Sequence, residues 1–144
     1  NALEGSRLEL EVTERVLMSH IDENLETMRR IGELGVRFSI DDFGTGYSSL
    51  AYLRRLPVDK LKIDRAFVRA IDTDPADEAI VRAIATLGST LGLTVAAEGV
   101  ESKPQLDRLL ALGCEHWQGH HFSPPLAPVE FEALLKRSGQ GRAA

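Results

Sequence analysis

The sequence contains a single cysteine, Cys114, among its 144 residues. One thiol excludes an internal disulfide and any cysteine-rich zinc site, and it fits a reducing, cytoplasmic location. No apolar run approaches the ~20 residues that cross a bilayer, so we expect no membrane segment in this chain. The chain begins at Asn1 without a methionine, which indicates a fragment or a processed chain.

Positive charge is also scarce. The chain carries 17 Lys and Arg against 22 Asp and Glu, which gives a formal net charge of −5. This balance does not favour nucleic-acid polymers or anionic membranes as partners. A ligand with phosphate groups therefore requires metal ions that offset the protein's own carboxylates. The remaining composition, 43% hydrophobic and 27% charged, is typical of one globular domain.

Strand-like and helix-like segments alternate five times along the chain. Short segments rich in β-formers predict strands over 7–13, 36–41, 60–64, 94–97 and 115–118. Amphipathic or capped segments predict helices over 14–34, 48–55, 75–91, 104–112 and 129–136. Such alternation is typical of parallel strands that are joined by crossover helices. The polar residues 138–144 predict a disordered tail.

Two architectures fit this alternation, an open doubly wound sheet and a (β/α)8 barrel. The open sheet usually has a glycine-rich phosphate loop after its first strand, whereas the residues here are Glu14-Arg15-Val16-Leu17. Polar residues instead follow every strand, which is the barrel pattern. A barrel has eight strands in about 250 residues. We therefore predict that residues 1–137 form part of a (β/α)8 TIM-type barrel, an α/β fold with about five of the eight βα units.

Two adjacent carboxylates, Asp41 and Asp42, follow the second predicted strand and precede the loop Phe43, Gly44, Thr45 and Gly46. Neighbouring carboxylates repel each other, so a fold keeps them when a cation lies between them or when one holds a proton. Their hard oxygen atoms suit Mg²⁺, Mn²⁺ or Ca²⁺. A loop with two solvated acids is the alternative.

Every other predicted strand also ends in polar side chains, and in a barrel these would converge on one face. They are Glu11, Glu14, Lys62, Asp64, Glu98, Glu101 and Gln118. So many carboxylates require cations, and a metal pair bridged by an aspartate, as in phosphoester hydrolysis, meets that need. Lys62 would add positive charge beside the metal-bound water or beside the phosphate of the substrate. In the alternative interpretation, Glu11 would face solvent, Lys62 would extend to the rim, and Glu98 and Glu101 would cap the helix that follows.

Two further motifs do not carry a function. Asp42-Phe43-Gly44 matches the metal-binding tripeptide of kinases, but the phosphate loop and the His-Arg-Asp loop of that class are absent. His116, His120 and His121 are close in sequence, yet their neighbours are typical of a strand end and a proline-rich loop. We therefore do not expect a histidine metal site.

Several motifs, in this order, resemble the EAL phosphodiesterase family. They are the segments 8–14, 41–50, 61–64 and 97–101, and Gln118-Gly119 with Phe122-Ser123-Pro124. The resemblance implies hydrolysis of cyclic di-GMP to its linear dinucleotide with Mg²⁺ or Mn²⁺. It also implies a barrel with one reversed strand, a homodimer, and frequent fusion to an upstream sensor or cyclase-like domain.

The resemblance also implies roles for the strand-end residues. Glu11 and Asp41 are similar to the ligands of a first metal ion, and Asp41 bridges to a second ion that Asp42 also holds. Glu98 is similar to a glutamate on the second-metal and water side, which is the proposed base. Lys62 matches the lysine that positions the hydrolytic water.

The remaining matches imply supporting roles. Gln118 matches a residue near the metals and the guanine-side phosphate. Glu14 matches the glutamate that steadies the loop 41–50, which helps to form the dimer contact in active members. Asp64 and Glu101 are candidates for substrate contacts or for support behind the ligands.

The sequence departs from the family pattern at its start. The Glu-Ala-Leu motif and the family's asparagine ligand are absent before the segment 8–14, where the family order places them, and Ala2-Leu3-Glu4 lies too late in the order to replace that motif. The chain is therefore similar to the C-terminal five-eighths of the domain, and we expect the fragment alone to be inactive. A catalytically inactive receptor or scaffold, or a truncated gene, is the alternative. His120-His121 also replaces an aromatic-aliphatic pair that is more frequent in the family.

Overall fold

A computed structural model describes residues 3–46 and 50–140 of the chain. Five parallel strands form one sheet in which the spatial order follows the chain order. The strands are β1 Glu9–Thr13, β2 Arg37–Phe43, β3 Lys60–Ile63, β4 Thr94–Ala97 and β5 His116–Trp117. Sequential order without a reversal is the arrangement of a barrel wall rather than of a doubly wound sheet. The sheet agrees with the predicted partial barrel.

Seven helices connect or follow these strands in the described part of the chain. They are α1 Glu14–Ser19, α2 Ile21–Gly32, α3 Leu50–Leu53, α4 Arg65–Val68, α5 Pro75–Leu91, α6 Lys103–Ala111 and α7 Pro128–Gln140. Helix α5 has the predicted bounds because Asp74 caps its first turn and Gly92 takes a left-handed conformation after its last residue. None of these helices combines the length and the apolar character that a membrane crossing requires.

Several predicted boundaries were wrong. The helix predicted over 14–34 is broken at His20, because Asn24 donates hydrogen bonds to the carbonyl groups of Val16 and Leu17 and so terminates α1. The first strand starts at Glu9, after a single 3₁₀ turn. Helix α4 was not predicted.

The bounds of two further helices also differ from the predicted ones or are only partly described. Helix α7 continues to Gln140, three residues into the predicted tail, and residues 141–144 lie outside the described ranges. Helix α3 is described only over Leu50–Leu53, so the predicted start of that helix at 48–49 also lies outside.

The hydrophobic core lies on the helix-covered face of the sheet. Alternate strand residues such as Phe38, Ile40, Leu61 and Ile63 point to this side and are at most 3% exposed. Helix α5 approaches β4 closely at Gly88, where an added Cβ atom would lie 2.2 Å from Cγ2 of Val95. This packing fixes the distance between α5 and β4.

The opposite face of the sheet carries charged side chains. Lys60 Nζ lies 2.7 and 2.8 Å from the two carboxylate oxygens of Glu9, across the intervening strand β2. Burial alone would raise the pKa of Glu9, but Lys60 lowers it below its ordinary value. Residues two positions further along the strands, Glu11 and Lys62, form the next contact on this face. The polar face thus leads directly to the predicted site.

Strand β2 ends differently from the prediction, which placed its last residue at Asp41. It continues to Phe43, and the pairing with β3 shifts register between Ile40 and Phe43. Asp42 takes a positive φ of 53° inside this irregularity. Such a bulge lets Phe43 return to the core, where it is 4% exposed, although two residues separate it from the buried Ile40 and regular alternation would need one. Both aspartates are therefore held by a strand, not by a loop.

Candidate active site

Lys62 lies at the centre of the predicted site. Its Nζ atom is 2.7 Å from Oε2 of Glu11 and 3.2 Å from Oδ1 of Asp41, and it also forms an ion pair with Glu98. The Lys62 side chain is only 6% exposed. Three of these residues lie in β1, β2 and β3, and Glu98 directly follows β4. Parallel strands present their carboxyl ends at one edge of the sheet. The structure thus brings together the residues that were predicted to converge.

The electrostatics of this cluster favour a permanently charged lysine. Burial alone would lower the pKa of Lys62, but Glu11, Glu98 and Asp41 together raise it above its ordinary value. One ammonium group still faces three carboxylates, so the cluster retains excess negative charge. That excess is what a bound cation would neutralise.

Asp42 forms a second acidic contact beside the cluster. A hydrogen bond with Asp64 raises the pKa of Asp42, and burial and the charges of Asp41 and Glu98 add to this shift. Asp64 also accepts a hydrogen bond from the backbone N–H of Ala66 at 2.6 Å, which caps helix α4. Two neighbouring carboxylates of this kind are a second place where positive charge is needed.

The other predicted site residues divide into two groups. Gln118 Nε2 donates a hydrogen bond to Glu98 Oε1 at 3.0 Å and so belongs to the cluster. Glu14, 3% exposed, accepts a hydrogen bond from the N–H of Gly44 at 3.2 Å. A Cβ atom at Gly46 would lie 2.6 Å from Glu14 Oε1, so this loop approaches the glutamate closely. Glu101 lies outside the cluster, and its backbone N–H is bound by the Gln105 side chain.

The predicted loop residues do not share one role. Phe43 belongs to the core. The Thr45 hydroxyl donates a hydrogen bond to the carbonyl of Asp42 at 2.9 Å and closes the turn after β2. The later part of the predicted loop, residues 47–49, lies outside the described ranges.

A cavity of about 520 Å³ adjoins the Glu98–Gln118 contact. Its lining includes Arg65, which the sequence interpretation did not single out. The sequence held only a partial signal, namely that Arg65 directly follows the Lys62–Asp64 strand end. His120 also lines this cavity. In the described ranges, no three His, Cys, Asp or Glu side chains are arranged as ligands of one ion.

Comparison with known proteins identifies the family. A family model described as the EAL domain matches residues 1–125. The chain belongs to the EAL domain family. Its predicted resemblance to that family is therefore confirmed.

Two curated EAL relatives are similar over most of this chain. The cyclic di-GMP phosphodiesterase NbdA of Pseudomonas aeruginosa is 52% identical over 129 residues, which are 90% of this chain and 16% of NbdA. The bifunctional diguanylate cyclase/cyclic di-GMP phosphodiesterase MucR of the same organism is 49% identical over 130 residues, 90% of this chain and 19% of MucR. The chain spans less than a fifth of either relative.

Solved EAL structures share the fold. The PaMucR phosphodiesterase in complex with c-di-GMP superposes with a TM-score of 0.87 at 48% identity, over 90% of this chain and 52% of that one. The manganese and cyclic di-GMP complex of Klebsiella pneumoniae BlrP1 gives a TM-score of 0.80 at 36% identity, over 85% of this chain and 31% of that one. The predicted TIM-type barrel fold is confirmed, and this chain corresponds to about half of the MucR barrel structure.

The EAL site has the chemistry that a divalent ion requires. Asp41 Oδ1 is buried without a hydrogen-bond partner, because its 3.2 Å contact with Lys62 is an ion pair without hydrogen-bond geometry. A buried carboxylate oxygen in this state has coordination capacity to spare. The acidic side chains around it offer carboxylate oxygens, which are the ligand atoms that Mg²⁺ and Mn²⁺ prefer. By the type of their ligand atoms, Asp41 and the neighbouring carboxylates therefore fit such an ion, although in the described ranges they are gathered around the Lys62 ammonium group.

The Asp42–Asp64 contact predicts a stabilised variant. Asp42→Asn should raise the melting temperature of the metal-free protein by about 2–4 °C at neutral pH. A raised pKa means that the stability contributed by Asp42 is present below the ordinary carboxyl pKa and is lost as pH rises through the raised value. The gain should therefore vanish near pH ~3. Asparagine tolerates the positive φ. Thermal melts at both pH values measure the effect.

Asp64→Asn is the matched variant, because asparagine retains the capping function. It should give a similar gain, and the double variant should gain no more than either single change, since only one repulsion is removed. A melting temperature for Asp42→Asn below that of the wild type at neutral pH would contradict the raised pKa.

Proposed function

We propose that this EAL chain forms the C-terminal part of a metal-dependent phosphodiesterase that hydrolyses cyclic di-GMP to its linear dinucleotide. The observation that carries the proposal is the convergence of Glu11, Asp41 and Glu98 on the buried ammonium group of Lys62. Excess acid around one fixed cation is suited to binding divalent ions and, through them, an anionic substrate. A bacterial cytoplasmic location is part of the same proposal.

Glu11, Asp41, Asp42 and Glu98 would hold Mg²⁺ or Mn²⁺, and Asp41 would serve both ions of a pair. Bound there, the ions would acidify water and neutralise phosphate oxygens. The similarity to the manganese complex of BlrP1 supports this ligand class.

The chain's own residues then act on the water and the phosphate. Lys62 remains protonated, so its ammonium group donates a hydrogen bond and holds the attacking water in place. Glu98 accepts the proton of that water through its carboxylate. Gln118 orients Glu98 through the hydrogen bond at Oε1. Glu14 would keep the segment after Asp42 in place through Gly44.

The described part of the chain leaves surfaces for further structure. Val129, Phe131 and Leu135 on α7 are 78%, 51% and 54% exposed, and β1 and β5 are the edge strands of the sheet. Apolar side chains and open edges of this kind call for partners. We propose that upstream strands of the same protein cover them and supply the missing ligands. Homodimerisation through the segment 41–50 and fusion to a sensor or cyclase-like domain belong to this proposal.

The test uses an extended protein, defined as this chain together with the upstream residues needed to complete the barrel. We expect it to release linear dinucleotide from cyclic di-GMP with Mg²⁺ or Mn²⁺, and to lose that activity when a chelator removes the metal. Product formation can be followed by chromatography. Binding without turnover in the presence of metal would refute hydrolysis and support a receptor. The fragment 1–144 serves as the inactive control.

A further inference from the structure

The cavity beside Glu98 and Gln118 has a mixed lining. Its polar lining residues include Arg65, Glu98, Glu101 and Gln118. Apolar residues make up most of the remainder, and they are Phe122, Pro124, Pro125, Leu126, Phe131 and Leu134. A volume of about 520 Å³ lies in the range of sites for small molecules. Because it shares Glu98 and Gln118 with the cluster around Lys62, the cavity directly adjoins that cluster.

Positive charge in the cavity comes from one permanently charged residue. Lys62 is already paired with three carboxylates. Glu98 and Glu101 contribute negative charge to the lining, and the guanidinium of Arg65 is the permanent cation among the described lining residues. Within residues 3–46 and 50–140, Arg65 makes no salt bridge. Its five donors are therefore available to a ligand.

Local packing holds Arg65 at this place. It is the first residue of α4, directly after the capping residue Asp64. A Cβ atom at Gly99 would lie 2.7 Å from Cβ of Arg65, so the missing side chain of Gly99 makes room for the Arg65 stem. Gly99 also has a positive φ of 69°, which favours glycine at this position. The start of the Arg65 side chain is thus placed by backbone geometry.

We propose that Arg65 binds the phosphate group of the cyclic dinucleotide that is not being hydrolysed. The proposal rests on the function proposed above. A cyclic dinucleotide carries two phosphodiesters, and the acidic cluster engages one of them through metal ions. The second phosphate needs a direct cation, because Glu98 and Glu101 would otherwise repel it. A guanidinium matches a phosphate with two parallel hydrogen bonds.

The test compares Arg65→Gln with the wild type in the extended protein. We expect KM for cyclic di-GMP to rise about tenfold, which is the loss of one charge-assisted hydrogen bond. The kcat value should stay within about twofold, because the contact is made equally before and during reaction. Affinity of the wild type should also fall more steeply with salt than that of the variant. Arg65→Lys should recover only part of the loss in KM, because it keeps the charge but not the two parallel hydrogen bonds.

Arg69→Gln is the matched control. Arg69 is an exposed arginine one helical turn after Arg65, and it does not line this cavity. It should leave KM and kcat unchanged. An unchanged KM in Arg65→Gln would overturn the proposal while hydrolysis by the wild type upholds the enzyme. A fall in kcat alone would overturn it too, since Arg65 would then act at the reacting phosphate.

A contact to the guanine edge is the remaining competitor, and it predicts a different pattern. Arg65→Gln would then lose discrimination against cyclic di-AMP, its salt dependence would match the wild type, and Arg65→Lys would not rescue it. That pattern overturns the phosphate contact. If the wild-type extended protein with metal neither binds nor hydrolyses cyclic di-GMP, the proposed function fails and this inference fails with it.

Discussion

Replacing Lys62 by methionine should destabilise the metal-free extended protein by about 3–5 kcal/mol, the usual cost of breaking a buried ion pair. The side chain is 6% exposed, and Glu11, Asp41 and Glu98 would be left without their common cation. Methionine has a similar volume, so the loss reports charge rather than a cavity. Urea unfolding of both proteins without metal measures the difference.

The same change should lower kcat for cyclic di-GMP by roughly 10²–10³-fold, as expected when one preorganised donor is removed from a reaction centre. KM should change far less, because the metal-bound carboxylates remain. Adding Mn²⁺ should narrow the gap in stability, since the ion supplies the missing positive charge among the same carboxylates. The Lys62→Met variant thus affects the free energy of unfolding, the stabilisation by Mn²⁺ and kcat through the same charge.

Lys60→Met is the control for Lys62→Met. Lys60 lies on the same strand and the same face, but it pairs with Glu9 alone, and both side chains are 27% exposed. A pair with this much solvent contact contributes at most about 1 kcal/mol, and Lys60 does not reach the cluster. We expect kcat to be unchanged. Equal losses of stability in the two variants would show that the three carboxylates around Lys62 do not repel one another as the geometry requires.

Replacing Gly119 by alanine should destabilise the protein by about 2–4 kcal/mol. An added Cβ atom would lie 2.2 Å from the carbonyl oxygen of Val100 and 2.3 Å from its backbone nitrogen. This backbone cannot move away freely. The N–H of Val100 donates to the carbonyl of Gln118, and the N–H of His121 donates to the carbonyl of Val100. The clash must therefore break these bonds or displace the segment that carries Gln118.

The loss should extend to activity, because displacement of Gln118 removes its hydrogen bond to Glu98. Gly113→Ala separates this close approach from the ordinary cost of replacing a glycine. Gly113 has a positive φ of 80°, but no atom lies within 4 Å of the position of an added Cβ. We expect the free energy of unfolding of that variant to fall by about 1 kcal/mol and its activity to be unchanged. Equal thermal shifts in the two variants would contradict the contact with Val100.

Local signals in the sequence predicted those elements whose ends are determined locally. Helix α5 was predicted at both ends because Asp74, Pro75 and Gly92 are its own start and stop signals. Helix α4 was missed because four residues contain no helical period. The break at His20 depends on Asn24 in the following helix, and the irregularity at Asp42 depends on the register with β3.

The features of the candidate site divide in the same way, into those that follow from the sequence and those that depend on distant residues. Convergence of Glu11, Asp41, Lys62 and Glu98 could be predicted because it needs only parallel strands that end at one edge. The partner of each charge could not be predicted, since the Asp42–Asp64 contact requires the bulge in β2. Arg65 was missed because its environment depends on Gly99 and on the segment after β5, both distant in sequence.

The sequential order of the sheet has a consequence for how the chain acquires its fold. Each strand pairs with the strand made immediately before it, so every pairing closes a chain segment of similar, moderate length. Contact order is therefore low for a parallel sheet, and each βα unit meets a finished neighbour as it leaves the ribosome. We expect assembly to proceed by accretion at one growing edge during synthesis. Only the pairing between the last strand and the first strand is delayed until the whole barrel has been synthesised.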